Sequence, residues 1–136
     1  MTTDTISPND RAQFDGAIAA ILSDHATLKR LAVSASKHGF PTDDAMSLAE
    51  AMTAHESAEA RLFALPFVTR PPETVGSTAA RARRRCIEYT SGDYNLPDAS
   101  AAAALFVDAL LAHLAVEEAW LVHEKEHQHD RLSIAA

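Results

Sequence analysis

Along this chain the apolar residues fall into four stretches with helical spacing, divided by short polar or proline-containing breaks. In the first, Phe14, Ile18, Ile21, Leu22, Leu28, Leu31 and Ala35 form one stripe. Ser7 is placed to cap it, Pro8 suits the first helical position, and Asp10 stands three residues after the cap. His38-Gly39 followed by Pro41 is a stop signal, so this helix is expected over about 8–38. Thr42 and Asp43 open a second stretch with the seam Leu48, Met52, His55, Glu59 and Leu62, which alternates steps of four and three. It is expected over about 42–65, with Pro66 ending it and Pro71-Pro72 closing the linker. A third, about 73–91, turns Val75, Ala79, Ala82, Cys86 and Tyr89 inward before Ser91-Gly92-Asp93 breaks it. The fourth starts at Pro97-Asp98 and runs through Phe106, Leu110, Leu114, Trp120 and Leu121 to about 128. Three short connections make neighbouring helices antiparallel. The pattern therefore predicts one domain, residues 1–136, folded as an all-α, up-down-up-down antiparallel four-helix bundle.

Composition agrees with that picture. At 136 residues the chain has material for one core, and 47% hydrophobic with only four Gly and six Pro favours long helices over many strands. A single cysteine, Cys86, excludes an internal disulfide and a cysteine-based zinc site, and reads as a small buried hydrophobe. A net charge of −7 argues against a nucleic-acid partner, whose binding would rest on phosphate neutralisation. Met1 to Asn9 is polar and carries Asp4, unlike a signal peptide, and the uncharged run Ala99 to Val107 is far too short to span a bilayer. A soluble cytoplasmic protein with no membrane partner is expected.

The unusual count is seven histidines, three of which fall where a seam should be apolar. His25 lies on the first stripe. His55 and Glu59 are four apart and stack on one face of the second helix. His113 sits among Leu110, Leu114 and Val116, with Glu117 about 40° and Glu118 about 140° around the helix from it. Both glutamates can reach the interior, from opposite sides of the stripe. In an antiparallel bundle these stretches come to similar heights, so the polar residues converge. A lone histidine on an apolar stripe is more often a satisfied core residue. Three helices with the same anomaly at matching depth favour a metal such as iron or manganese, because without one several groups stay unpaired at about 1–3 kcal/mol each.

At these residues the chain resembles the hemerythrin-like (HHE cation-binding) family. Asp24-His25 before Leu28, His55-Glu56-Ser57-Ala58-Glu59 leading into Leu62-Phe63, and His113-Leu114-Ala115-Val116-Glu117-Glu118 carry the likeness, over about residues 10 to 123. The resemblance implies a four-helix bundle around a non-haem di-iron centre bridged by two carboxylates. It implies that His25 and His55 bind one iron and His113 the other, with Glu59 and Glu118 as bridges and Glu117 as the substitute in another register. The family's third helix usually supplies one or two histidines. At the matching level, residues 76 to 82, this chain has only Gly76, Ser77, Thr78, Ala79, Ala80, Arg81 and Ala82. Three outcomes stay open: a mononuclear site on His25, His55 and the carboxylates, a di-metal site completed by water or Tyr89, or a bundle that has lost its metal. The small third-helix residues also leave space for a ligand such as a haem with one axial histidine.

Three functions follow from these alternatives. The first is a hemerythrin-like non-haem iron protein that binds or senses O2, nitric oxide or peroxide, or reports iron or redox state, through a position left open by the missing ligands. The second is an oxidase or peroxide-handling enzyme using the same site, favoured by a substrate cavity beside the small third-helix residues. The third is a metal-free interaction or regulatory bundle. Elsewhere, Arg81, Arg83, Arg84 and Arg85 read as a solvated face paired with acidic neighbours. His123 and His127 belong to a tail read as an exposed, fraying helix end, and His38 as a cation at a helix C-terminus.

Overall fold

The computed structural model describes residues 7–39, 41–91 and 99–135. They form four helices and, among the described residues, no strand: α1 (Pro8–Lys37), α2 (Thr42–Phe63), α3 (Glu73–Ser91) and α4 (Ala99–Ala135). The result is an all-α four-helix bundle in which α1 packs most closely on α2, and α3 on α4.

Local chemistry sets the helix ends. The Ser7 hydroxyl accepts from the Asp10 amide at 3.1 Å while the Asp10 carboxylate accepts from the Ser7 amide at 3.3 Å, a reciprocal capping box. Past His38, Gly39 takes φ +72°, a left-handed turn that a side chain would disfavour. α2 stops at Phe63, two residues short of the expected 65, because the residue before Pro66 is pushed out of the helical region. α4 runs on to Ala135, beyond the expected 128, since neither Gly nor Pro interrupts it. Its expected start at Pro97-Asp98, the Gly92-Asp93 break and most of the N-terminal stretch from Met1 lie outside the described residues.

Most seam residues are buried as their spacing predicts, with Leu31 and Ala79 half-buried and Leu22 outside the seam. Leu22 is 43% exposed, being one residue (about 100°) off the stripe formed by Ile18, Ile21, His25 and Leu28. Two apolar clusters fill the interior. One contains Leu28, Leu48, Met52, Ala82, Tyr89, Phe106, Leu110 and Leu114. The other contains Phe14, Ile18, Ile21, Ala58, Leu62, Val75, Trp120 and Leu121. His25, His55 and His113 fall in sequence at the boundary between them, so a polar layer divides the apolar core.

The end of α4 is docked rather than frayed. Glu124 and Gln128 are buried, continuing the seam Leu114, Glu117, Leu121 by steps of three and four. Glu124 accepts from the Thr69 amide at 3.1 Å and from the Gln128 side-chain amide at 2.6 Å. Gln128 and Arg131 both donate to the Phe67 carbonyl, so α4 strapping satisfies the backbone of the α2–α3 linker. Phe67 also packs on Phe14, with ring centroids 6.1 Å apart. Within α4, residues 100–131 are long and apolar enough to cross a membrane, although nearly half of the most apolar stretch is buried in the bundle. Glu124→Ala removes the acceptor of the part-buried Thr69 amide and one of the two acceptors of the buried Gln128 carboxamide. It is expected to destabilise the protein by about 1–3 kcal/mol, read as a lower urea midpoint, while exposed His127→Ala shifts it by less than about 0.5 kcal/mol.

Candidate metal centre

One side-chain group in the polar layer has the composition of a metal site. His55 and Glu59 from α2 and His113 and Glu117 from α4 each direct a nitrogen or oxygen so that the four atoms lie within 4.8 Å of one another. The helical step of four stacks each His–Glu pair on one face. The group is sealed from solvent: His55 and Glu117 are 0%, His113 1% and Glu59 8% exposed. A single ion with bonds of about 2.1 Å holds its ligand atoms no more than about 4.2 Å apart, so the group would have to close slightly to hold one ion.

Hydrogen bonding decides what the group requires. The Thr78 hydroxyl on α3 has one hydrogen and lies 2.6 Å from the Thr74 carbonyl, to which it donates. Its oxygen, 3.0 Å from His113 Nδ1, therefore accepts the Nδ1 proton. That leaves His113 Nε2 with its lone pair aimed at Glu59 Oε2, 3.4 Å away, and Glu117 Oε2, 3.5 Å away. A lone pair facing two carboxylate oxygens repels them unless a cation, a metal ion or an added proton, stands between. His113 Nε2 and Glu117 Oε2 are both buried without a hydrogen-bond partner. His55 is buried with both ring nitrogens unbonded: Nε2 lies 3.1 Å from Glu117 Oε1 and 3.5 Å from Glu59 Oε1, yet neither contact has hydrogen-bond geometry. Nitrogens and oxygens converging in this way, buried and unbonded, form a set that a divalent first-row metal ion satisfies.

The two carboxylates are pushed in opposite directions. Burial, together with the neighbouring Glu117, raises Glu59 above the ordinary carboxylate range. Burial also pushes Glu117 up, but the hydrogen bond from His25 and the attraction of the nearby His55 ring outweigh it and hold Glu117 well below that range. In the metal-free protein, Glu117 thus contributes stability that is present above the ordinary carboxylate pKa and lost as pH falls towards its lowered value. Glu59 acts oppositely: stability declines as pH rises from the ordinary pKa to its raised one.

Of the sequence-predicted ligands, His55, Glu59 and His113 are brought into this group. His25 stands beside it, its Nε2 2.9 Å from Glu117 Oε1. Glu118 is not in the group. It lies at the rim, one-third exposed, 3.0 Å from His25 Nδ1 and 2.7 Å from Lys29 Nζ. Glu117, the alternative register, takes the interior place, because 40° from His113 points inward and 140° points towards α1. Glu118 and Thr78 then act on the ring nitrogens turned away from the group, fixing His25 and His113 as outer carboxylates and hydroxyls do around bound metals. Thr78 lies in the expected 76–82 level, where its hydroxyl, not an ordinary iron ligand, gives no signal in the sequence. Tyr89 does not reach the group. It is eleven residues from Thr78, about 16 Å along α3, and stacks on Phe106. Cys86 is also remote, and burial pushes its thiol up to about 11.

A cavity of about 950 Å³ lies against Gly76, Ser77 and the linker, but none of the four grouped residues lines it. No protein-family model matches the chain, and no curated protein or solved structure matches it significantly.

Glu59→Gln removes the carboxylate that burial disfavours while keeping its shape. In metal-free protein at neutral pH it is expected to raise stability by about 1 kcal/mol in urea unfolding, and to lose most of that gain at pH 4. An equal loss of stability at both pH values would contradict the strained carboxylate pair.

Proposed function

We propose that this chain is a hemerythrin-like protein holding one non-haem iron ion on His55, Glu59, His113 and Glu117, and that it binds or senses O2 or a related small molecule such as nitric oxide or peroxide. The observation that carries this reading is the orphaned His113 Nε2, held by Thr78 so that its lone pair faces two buried carboxylates. Support for the up-down-up-down arrangement comes from the membership of the core clusters. The second half of α1, the first of α2, the second of α3 and the first of α4 share one cluster, and the complementary halves share the other.

Two imidazoles and two carboxylates without a thiolate suit iron, which when bound supplies reversible binding of a diatomic ligand. The chain's own residues prepare that site. Thr78 and Glu118 fix ring orientations, His25 holds Glu117, and Lys29 neutralises the exposed side of Glu118. Leu110 and Leu114 on one side and Ala58 and Leu62 on the other exclude water. α3 contributes Thr78 but no ligand atom to the group, leaving its side of the site without a protein donor.

Elemental analysis and a visible spectrum on untagged protein test the reading. About one iron per chain is expected, lost in His55→Ala and Glu59→Ala and kept in His127→Ala. Glu118→Ala should retain iron with roughly 10–100-fold weaker affinity. Equal metal in all four variants, none after anaerobic reconstitution, or a sharp Soret band would contradict it.

A further inference from the structure

The arginine run on α3 is only half neutralised. Arg83 donates to Glu56 at 2.8 Å and Arg85 to Glu88 at 3.0 Å. Arg81 and Arg84 have no carboxylate partner among the described residues, although the chain carries a net charge of −7. They are three apart on one helix face, a like-charge spacing that costs helix stability when nothing lies between. Both line a groove of about 240 Å³ between α3 and α4, with Arg85 beside them and an apolar floor that includes Leu105 and Ala109.

We propose that this groove binds a small anion, a hydroxycarboxylate or phosphate, with its charged head between the Arg81 and Arg84 guanidinium groups. Guanidinium forks match the paired oxygens of either head. The volume is below the range of about 300–1,000 Å³ typical of larger ligands, so the occupant is small. Asp108, exposed on the α4 wall of the groove, repels a second negative end and favours a hydroxyl donor there. Thr78 closes the groove towards the interior, and its hydroxyl bonds His113 Nδ1, so the anion would sit one side chain from the polar layer. The proposal does not depend on a metal.

Metal-free full-length protein, titrated with lactate and separately with inorganic phosphate at constant low ionic strength and followed by amide NMR, tests it. Saturable shifts centred on Thr78, Arg81, Arg84 and Ala109 are expected. Lactate alone would mark an organic acid as the ligand, and phosphate alone an inorganic ion or phosphate ester. Arg81→Ala/Arg84→Ala should weaken binding at least tenfold with helicity kept, since alanine is the best helix former, whereas Arg30→Ala on α1 should not. No saturable shift with either anion, or equal weakening by Arg30→Ala, would overturn the proposal. So would binding of polyglutamate when neither small anion binds, which would assign the face to an acidic protein.

Discussion

Two buried carboxylates and the imidazole lone pair that Thr78 turns towards them form the constraint around which this bundle is arranged. Glu59 and Glu117 cannot share an apolar core with His113 Nε2 facing them unless positive charge lies between. The apolar clusters above and below raise the energetic stakes, because they keep out the water that would otherwise screen the group. The opposite displacement of the two carboxylates is the same constraint expressed as proton affinity.

The helices serve that layer in different ways. α2 and α4 each supply a His–Glu pair at a step of four, so the four donors converge without any loop being involved. α1 supplies support rather than a member of the group: His25 bridges Glu117 to the rim carboxylate Glu118, which Lys29 holds from outside. α3 supplies orientation through Thr78. Sites built on packed helices are held more rigidly than sites on loops, which suits a centre whose ligand spacing has to be kept. Strapping of the linker by Glu124, Gln128 and Arg131 extends the same polar-in-core economy to the end of α4.

Much of this can be read from residue spacing. The Ser7–Asp10 capping box, the α2 seam and the convergence of His55, Glu59 and His113 all follow from local periodicity, which tertiary packing does not override here. The register of the last glutamate does not. Glu117 and Glu118 lie on either side of the α4 stripe, and contacts with Lys29 and His25 on α1 hold Glu118 at the rim. Thr78 was invisible as a functional residue for a related reason: its role exists only through a ring on another helix. The docked end of α4 did leave a trace in the three-and-four steps from Leu114 to Gln128. Its partners, however, are the Thr69 amide and the Phe67 carbonyl, and backbone groups carry no residue-specific signal.

Anomalous diffraction from crystals of the untagged protein, collected on both sides of the iron absorption edge, tests the central claim most directly. The account predicts a single iron peak per chain, bounded by His55, Glu59, His113 and Glu117. A peak at His123 and His127 instead, a signal belonging to another metal, or no peak from protein loaded anaerobically with ferrous iron would contradict it.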